Sequence, residues 1–300
     1  MRLVIALGGN ALLRRGETMT VENQRGNIRL AASGIAKLAQ RHQIILTHGN
    51  GPQVGLIALQ NAMYREVEGY PLDVLDAESQ GMIGYLLEIE LRNVLAGGRE
   101  VATLLTEVEV SPEDPAFQNP TKPIGPQYDD AEARELQRKW GWAMVDDGAS
   151  KRRVVPSPRP QRILQKRAIQ TLSNDNTVVI AVGGGGIPVI RDDRSVWSGI
   201  EGVIDKDLAS AVLARDVGAD GLILLTDVAA VMRYFGTARE TPFRHVKPSE
   251  LDPADFAAGS IGPKIEAAGD FAGQGNGFAA IGALDDLENI VKGRTGTIFC

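Results

Sequence analysis

The sequence contains a single cysteine, Cys300, among its 300 residues. One thiol cannot form an intrachain disulfide, and it cannot supply a cysteine metal cluster. Structural disulfides are rare in the reducing cytoplasm, so a chain without them suits that compartment. We therefore expect a cytoplasmic protein.

Long hydrophobic runs are also missing. The longest uncharged apolar stretch, residues 178–190, is interrupted by four glycines and Pro188. It is shorter than the ~18 residues that a membrane-spanning helix needs. The apolar run at residues 3–7 is too short for the hydrophobic part of a signal peptide, because it meets Gly8 and Gly9 at once. We expect no membrane partner.

The sequence has no excess of positive charge. It has 32 Lys and Arg against 38 Asp and Glu, which gives a net charge of −6. This balance argues against a nucleic-acid partner, because a protein that binds a duplex needs a basic surface. A net-acidic protein can still concentrate positive charge in one cleft. With 43% hydrophobic and 23% charged residues, the composition is that of a globular protein and excludes disorder.

Two familiar nucleotide-binding motifs are missing or incomplete. No G-x-x-x-x-G-K-[ST] sequence occurs, which excludes a P-loop enzyme. Gly49-Asn50-Gly51 with Gly55 loosely matches a dinucleotide-binding turn. However, Pro52 interrupts that turn, and no acidic residue follows at the distance expected for a ribose contact. The dinucleotide interpretation is therefore disfavoured.

Short apolar runs alternate with amphipathic segments along the chain. This alternation predicts βαβ units, a mostly parallel sheet and helices on both of its faces. The predicted strands are residues 2–7, 43–47, 101–105, 177–182 and 221–225. The predicted helices are residues 21–41, 53–67, 73–95, 161–172 and 207–217, with another starting near Pro263.

Residues 111–160 depart from this alternation. Eight prolines fall in this region, together with Trp140 and Trp142. Prolines fix turns and sheet edges, and they are not tolerated in central strands. The alternative is an irregular surface loop, but a structureless loop of this length is unusual. We predict one α/β domain over residues 1–300, with residues 111–160 inserted as a small lid of hairpins and one short helix.

Glycine-rich turns follow three predicted strands and precede one helix. They are Gly8-Gly9-Asn10, Gly49-Asn50-Gly51, residues 183–186 and residues 259–262. Ligands of parallel sheets bind beyond the carboxyl ends of the strands, where backbone N–H groups can approach anionic oxygens. One such turn is more often simply a tight turn. Four turns at one sheet edge favour an extended cleft for phosphate groups.

Three lysines lie beside these turns and are candidates for binding an anion. Lys206 stands at a predicted helix start between Asp205 and Asp207, Lys264 lies just inside another helix, and Lys122 lies on the inserted segment. For any single lysine, a solvated surface position is the ordinary interpretation.

Two other groups of positive or titratable residues are assigned no catalytic task. His48 precedes the Gly49 turn, and we expect it either to pack behind the turn or to make a turn hydrogen bond, and not to act as a base. The basic run at residues 151–167 is interpreted by default as a solvated face, with contact to an anionic ligand or a second subunit as the alternative.

Taken together, these segments resemble the carbamate kinases of the amino-acid kinase family. The resemblance covers essentially the whole chain in order, and HGNGPQVG and TKPIGP are its specific parts. It rests on GGNAL (8–12), HGNGPQVG (48–55), DPAFQNPTKPIGPQY (114–128), RRVVPSPRP (152–160), GGGGIPV (183–189), VIDKDLAS (203–210), LLTDV (224–228) and GSIGPKIEAA (259–268).

The resemblance implies a three-layer αβα sandwich with a small protruding subdomain, a homodimer, and reversible phosphoryl transfer from carbamoyl phosphate to ADP with Mg²⁺ as cofactor. Arginine breakdown is the implied setting, and no residue is assigned to a metal site. The implied catalytic residues are Lys206, Lys264, Asp207 and Lys122. The implied substrate-binding residues are Gly8, Gly9, Asn10, Gly49, Asn50 and Gly51. The implied nucleotide-binding residues are Thr226, Asp227, Val228, Gly262, Pro263 and Lys264.

The sequence departs from the family pattern at two places. Ala6 and Leu7 stand where related acetylglutamate kinases carry a lysine, so another lysine must supply that charge. Tyr234, after Arg233, stands where Asn is expected on the nucleotide side. The alternative functions are a relative that forms another acyl phosphate and a non-catalytic nucleotide-binding regulator of the same fold.

Overall fold

The computed structural model describes residues 1–14, 16–64, 69–256, 261–275 and 277–300, without the side chain of Asn10. Within these ranges the chain forms eight α-helices, labelled in chain order: α1 (Val21–Ala39), α2 (Gly51–Met63), α3 (Leu72–Val94), α4 (Asp130–Trp140), α5 (Lys166–Asn174), α6 (Lys206–Val217), α7 (Ile261–Ala272) and α8 (Leu287–Val291). No helix among the described residues is long and apolar enough to cross a membrane.

The strands of the described ranges are labelled in the same way. They are β1 (Arg2–Leu7), β2 (Gln43–His48), β3 (Val101–Thr103), β4 (Glu107–Val110), β5 (Lys122–Tyr128), β6 (Ala143–Asp147), β7 (Ser150–Val155), β8 (Pro160–Ile163), β9 (Val178–Ile180), β10 (Ile187–Arg191), β11 (Trp197–Gly199), β12 (Gly221–Thr226), β13 (Met232–Arg233), β14 (Thr241–Pro242), β15 (His245–Val246), β16 (Phe278–Ala283) and β17 (Thr297–Phe299).

Strand β1 lies inside the central sheet, whose order is β15-β17-β16-β12-β1-β2-β9-β3. It pairs in parallel with β2 and β12, so that Ile5 lies opposite Leu46 and Ile223. Among the pairings of this sheet, β16 with β17 is antiparallel and the others are parallel. The sheet is thus mostly parallel, as the sequence predicts.

Successive residues of β1 point to opposite faces of the sheet, and both faces are covered. Leu3 and Ile5 pack in a buried cluster with side chains of α1, α3 and α8. Val4 and Ala6 pack in a second buried cluster with side chains of α5, α6 and α7. Because period-2 alternation assigns neighbouring residues to different faces, the two clusters establish helix, sheet and helix layers. The predicted αβα sandwich is confirmed.

A three-stranded antiparallel sheet, β5-β7-β6, stands outside the central sheet together with α4. The helix α4 begins with a capping box between Asp129 and Glu132 and ends at Gly141, which has a left-handed backbone. Ile124 and Val155 of this small sheet pack in a buried cluster with Val54 of α2. This cluster seats the small sheet on the main body of the molecule.

The seat requires two glycines. A Cβ atom on Gly55 of α2 would lie 2.0 Å from Cα of Gly125 in β5, far inside van der Waals contact. The helix and the strand therefore approach each other backbone to backbone, and Lys122 lies at the start of this strand.

One predicted helix is wrong at its start. Residues 161–172 were predicted to be helical throughout, but Pro160–Ile163 is a strand that pairs with β4, and α5 begins only at Lys166. Two residues favour the strand: Ile163 is buried in the core there, and Pro160 is unsuited to a helix interior. The predicted helix 53–67 ends at Met63, and residues 65–67 lie outside the described ranges.

Candidate active site

A cleft of about 1030 Å³ lies beyond the carboxyl ends of β1, β2 and β12, under the sheet that contains Lys122. Its walls include parts of three of the predicted glycine turns and the start of α7. The predicted residues that line it are Gly8, Gly9, Gly49, Asn50, Gly51, Gly184, Lys122, Lys206, Asp207, Thr226, Asp227, Pro263 and Lys264. The sheet edge therefore gathers segments that are distant in sequence.

The N-terminus of α6 is the centre of this cleft. Asp205 caps the helix, because its Oδ1 accepts hydrogen bonds from the backbone N–H groups of Asp207 (2.9 Å) and Leu208 (3.4 Å). The other carboxylate oxygen, Oδ2, accepts a hydrogen bond from Lys122 Nζ at 2.6 Å. One aspartate thus links the cap of α6 to the protruding sheet across 83 residues of sequence.

Asp207 holds the other two predicted lysines. Its Oδ1 accepts a hydrogen bond from Lys206 Nζ at 2.5 Å, and its Oδ2 accepts one from Lys264 Nζ at 2.9 Å. The side chains are nearly buried, with exposed fractions of 6% for Asp207 and 11% for each lysine. Each ammonium group has three N–H donors. Each therefore keeps two N–H groups that no described acceptor takes up.

The charges in this cluster set the protonation states. Burial opposes ionisation of Asp207, but the positive charges of Lys206 and Lys264 outweigh it and hold the pKa of this carboxyl well below its usual range. Burial also opposes ionisation of Asp205, but the positive charge of Lys122 opposes this effect, and the pKa of Asp205 is lowered. Both carboxylates are therefore ionised at neutral pH.

The two lysines on Asp207 differ in their surroundings. Burial lowers the pKa of Lys206, although Asp207 opposes the shift. Burial acts on Lys264 as well, but Asp207 outweighs it, and the pKa of Lys264 is raised. Two cations and one anion leave the pair of lysines with net positive charge at the bottom of the cleft, which attracts an anionic ligand.

The glycine turns bring bare backbone close to these lysines. A Cβ on Gly8 would come within 2.7 Å of the carbonyl oxygen of Leu225, so β1 and β12 leave no room for a side chain there. A Cβ on Gly49 would lie 3.8 Å from Cε of Lys206. The second turn therefore lies directly beside the lysine, where its backbone N–H groups and the ammonium group can share one anion.

Some predicted residues lie away from the cleft surface or cannot be placed. Val228 and Gly262 are adjacent to lining residues but do not line the cleft themselves. The side chain of Asn10, Gly259 and Ser260 lie outside the described part of the chain. Tyr234 is exposed and has a left-handed backbone (φ 56°), a conformation in which Asn is favoured over Tyr.

The basic run at residues 151–167 is divided between several surroundings. Arg152 lines the cleft and donates a hydrogen bond to the carbonyl oxygen of Gly125 at 3.1 Å. Arg159 pairs with Glu266, and Arg162 pairs with Glu109. Alternate residues of β7 point to opposite sides of the small sheet. The sequence alone could not show which arginine faces the cleft, because that depends on which side of the strand is turned towards it.

His48 is buried directly behind the Gly49 turn. Its Nδ1 lies 3.0 Å from the carbonyl oxygen of Gly49, which can only accept, so this nitrogen donates the hydrogen bond. Burial lowers the pKa of His48 to about 4. The neutral ring therefore supports the turn, in agreement with the predicted turn hydrogen bond.

Comparisons with known proteins agree with the resemblance found in the sequence. Two relatives are carbamate kinases: one from Rhizobium meliloti is 54% identical over 100% of this chain and 93% of its own length. The other, from Haemophilus influenzae, is 50% identical over 99% of this chain and 96% of its own length. The solved structure of carbamate kinase from Giardia lamblia bound to AMP-PNP is 39% identical, covers 99% of this chain and 98% of that chain, and has a TM-score of 0.90.

The family model agrees with these relatives. Residues 1–281 match the model of the amino acid kinase family, which is more than nine-tenths of the chain. This match and the full-length identities confirm the family that the sequence motifs indicated. The chain belongs to the amino acid kinase family.

Proposed function

We propose that this protein catalyses reversible phosphoryl transfer between carbamoyl phosphate and ADP, giving ATP and carbamate, which is the carbamate kinase reaction. The chain is a phosphotransferase of a family whose full-length relatives carry this name. The observation that carries the proposal is the Asp207 carboxylate, which holds Lys206 and Lys264 side by side beside the Gly49 turn.

The obstacle in this reaction is the mutual repulsion of two anions. Carbamate and the terminal phosphate of ADP are already ionised, so neither nucleophile needs a general base, and positioning and charge neutralisation dominate. The unused N–H donors of Lys206 and Lys264 would bind the oxygens of the migrating phosphoryl group. Fixed donors in a partly water-excluded site stabilise the charge that develops in the transition state without further reorganisation.

Lys122 approaches the same cleft from the opposite side. It is paired with Asp205, whose side chain is partly buried, and it stands on the strand that packs on α2 at Gly55 and Gly125. We assign Lys122 to the carbamoyl phosphate, as the family resemblance implies. Gly8, Gly9, Gly49, Asn50 and Gly51 would cradle the same substrate, and Thr226, Asp227 and Pro263 would border the nucleotide.

Magnesium is proposed to enter as part of the nucleotide substrate. Mg²⁺ usually keeps several waters and binds nucleotide phosphates with few protein ligands. Asp205 and Asp207, the carboxylates at the centre of the cleft, already accept hydrogen bonds from three ammonium groups. This arrangement fits an ion that is held mainly by the nucleotide phosphates. Bound to the phosphates, the ion neutralises part of their charge, and the lysines neutralise the rest.

The family resemblance also implies a cytoplasmic homodimer that functions in arginine breakdown. The outward face of α3 is the surface we assign to the dimer. Val74, Met82 and Tyr85 are exposed there by 38%, 37% and 63%, and helical spacing places them within about 80° of one another around the axis. A helix face can pack on its own copy across a two-fold axis.

A coupled assay tests the proposed reaction. The purified protein is given ADP, Mg²⁺ and carbamoyl phosphate, and ATP formation is followed with hexokinase and a dehydrogenase. We expect turnover with carbamoyl phosphate to exceed that with acetyl phosphate, and no phosphorylation of acetylglutamate by ATP. Preference for another acyl group would favour the alternative kinase, and tight ADP binding without ATP formation would favour the non-catalytic regulator.

A further inference from the structure

Asn50 is used in an unusual way for its position. It is the N-cap residue of α2, where an Asn side chain ordinarily accepts a hydrogen bond from the first turn of the helix. Here the side chain makes no capping hydrogen bond, although the residue is only 2% exposed. The helix forgoes a stabilising cap, so the amide of Asn50 is directed to other neighbours.

Those neighbours are two residues of α3. The amide nitrogen of Asn50 donates one hydrogen bond to Asp76 Oδ1 and one to Ser79 Oγ, both at 2.8 Å. The Ser79 hydroxyl donates its own hydrogen to the backbone oxygen of Asp76 at 2.8 Å, so its oxygen is left as an acceptor. Both hydrogens of the Asn50 amide are thereby taken up on the α3 side.

The amide is also held from the other side. A Cβ on Gly184 would lie 2.2 Å from Nδ2 and 2.7 Å from Oδ1 of Asn50, so the amide group lies directly against the backbone of that turn. Enclosed between α3 and Gly184, the amide can still exchange its nitrogen and oxygen by a turn of 180°. Its orientation is therefore set by the two acceptors on α3.

Asp76 keeps this arrangement in either protonation state. It is 1% exposed, and burial raises its pKa well above the usual range. Its second oxygen, Oδ2, has no hydrogen-bond partner within the described ranges and can carry a proton. Oδ1 remains an acceptor for Asn50 whether or not Oδ2 is protonated.

The consequence is a lone acceptor at the cleft. Asn50 lines the cleft, and its Oδ1 accepts no hydrogen bond from the described residues. The lysines and backbone N–H groups around it are donors, which suit phosphate and carboxyl oxygens. Of the groups in carbamoyl phosphate, the amino group is the one that donates hydrogen bonds. A carbonyl oxygen at this point therefore matches that group and repels an anionic oxygen.

We infer that Asp76 and Ser79 are positioning residues, which fix Asn50 so that its carbonyl oxygen accepts a hydrogen bond from the amino group of carbamoyl phosphate. This rests on the proposed function and adds the basis of its selectivity. Acetyl phosphate carries a methyl group in place of the amino group. It would leave the acceptor unpaired, and a site built around a substrate N–H discriminates strongly against an analogue without it.

The test compares two phosphoryl donors in the same variants. Asp76→Leu and Ser79→Ala each remove one acceptor, and the double variant removes both and frees the amide to turn. For the double variant we expect kcat/KM for carbamoyl phosphate to fall about tenfold or more. The KM for ADP and the kcat/KM for acetyl phosphate should change less than about twofold, because neither ligand donates a hydrogen bond to Asn50 Oδ1. Where turnover of acetyl phosphate is too slow, its constant as a competitive inhibitor is measured.

Three controls make the result decisive. Asp76→Asn keeps an oxygen acceptor for the Asn50 amide, so this single variant should retain the preference for carbamoyl phosphate that Asp76→Leu weakens. Ser173→Ala removes a buried serine hydroxyl of α5 that has no described hydrogen-bond partner. It should leave kcat/KM unchanged for both phosphoryl donors. If the two donors lose activity in parallel, or if the double variant keeps its preference, the inference is wrong. If the unaltered protein makes no ATP from carbamoyl phosphate, the proposed function itself fails.

Discussion

At the scale of single residues, the site depends on a balance of three ammonium groups and two carboxylates. The lysines were recognisable from their sequence motifs, and so was the position of Asp207 next to Lys206. The pairing of Lys122 with Asp205 was not, because it joins residues 83 positions apart and depends on how β5 is seated. Local sequence identifies which residues carry charge, whereas the fold determines which charges meet.

The first prediction concerns the two lysines on Asp207. Lys206→Ala and Lys264→Ala should each lower kcat by about 10²-fold or more, with a smaller effect on the KM for ADP, because each removes a donor that acts mainly on the transition state. Steady-state kinetics of ATP formation measure this. Lys37→Ala is the matched control, since Lys37 is a 65% exposed lysine paired with Glu288. An unchanged kcat in either variant would contradict the assigned role.

The second prediction concerns the pH dependence of stability. His48 has a pKa of about 4 in the folded protein, against about 6.5 in an unfolded chain. The unfolded state therefore binds the proton more tightly, so the free energy of unfolding falls as the pH drops from about 6.5 towards 4. Between pH 7 and pH 5 this single group should account for a loss of about 2 kcal/mol.

Urea unfolding of His48→Asn at the two pH values checks this. Whatever the stability of the variant at pH 7, its loss between pH 7 and pH 5 should be smaller than that of the unaltered protein by about 2 kcal/mol. His245→Asn, at an exposed position, is the control. Equal losses in the His48 variant and the unaltered protein would mean that the buried ring is protonated in the folded state.

At the scale of elements, periodicity succeeded where helices and strands are long and buried, and failed where they are short. The strand β1 and the helix α1 were predicted with nearly their observed bounds. The four-stranded sheet β11-β10-β4-β8 was not predicted. Its strands have only three to five residues. Strand β4 pairs with β8 and β10 across long stretches of sequence, whereas β10 and β11 form a short hairpin, so no local pattern signals the whole sheet. Strand β8 was assigned to a helix for the same reason.

The third prediction concerns the contact between α2 and β5. Ala is ordinarily preferred over Gly inside a helix by about 1 kcal/mol. In Gly55→Ala, however, the new methyl group would meet the backbone of Gly125 and push β5 and Lys122 outward. We expect KM for carbamoyl phosphate to rise about tenfold or more, the KM for ADP to stay within about twofold, and stability to fall.

Two comparisons isolate the cause. Gly26→Ala in α1 meets no atom within 4 Å and should keep wild-type kinetics with equal or higher stability. Lys122→Ala should reproduce the loss in carbamoyl phosphate use, because it removes the ammonium group and leaves the contact between Gly55 and Gly125 intact. Loss of ADP binding in Lys122→Ala would instead assign this lysine to the nucleotide.

At the scale of the whole molecule, one helix connects two proposed properties. The inward side of α3 carries Asp76 and Ser79, which hold Asn50, and its outward side carries the exposed Val74, Met82 and Tyr85. The sequence indicated an amphipathic helix here but could not indicate which face would be left uncovered, because that depends on which elements pack against it. Exposed apolar side chains grouped on one face often mark a contact surface.

The fourth prediction is that this face joins two copies of the chain. Sedimentation velocity should give a species of twice the 32.1 kDa chain mass. The double variant Met82→Glu and Tyr85→Glu should sediment as a monomer, since it would bury four carboxylates where the two copies meet. Val145→Glu, at a 40% exposed position of the protruding sheet, should remain dimeric. A monomeric unaltered protein, or a double variant that still sediments as a dimer, would show that α3 is not the interface.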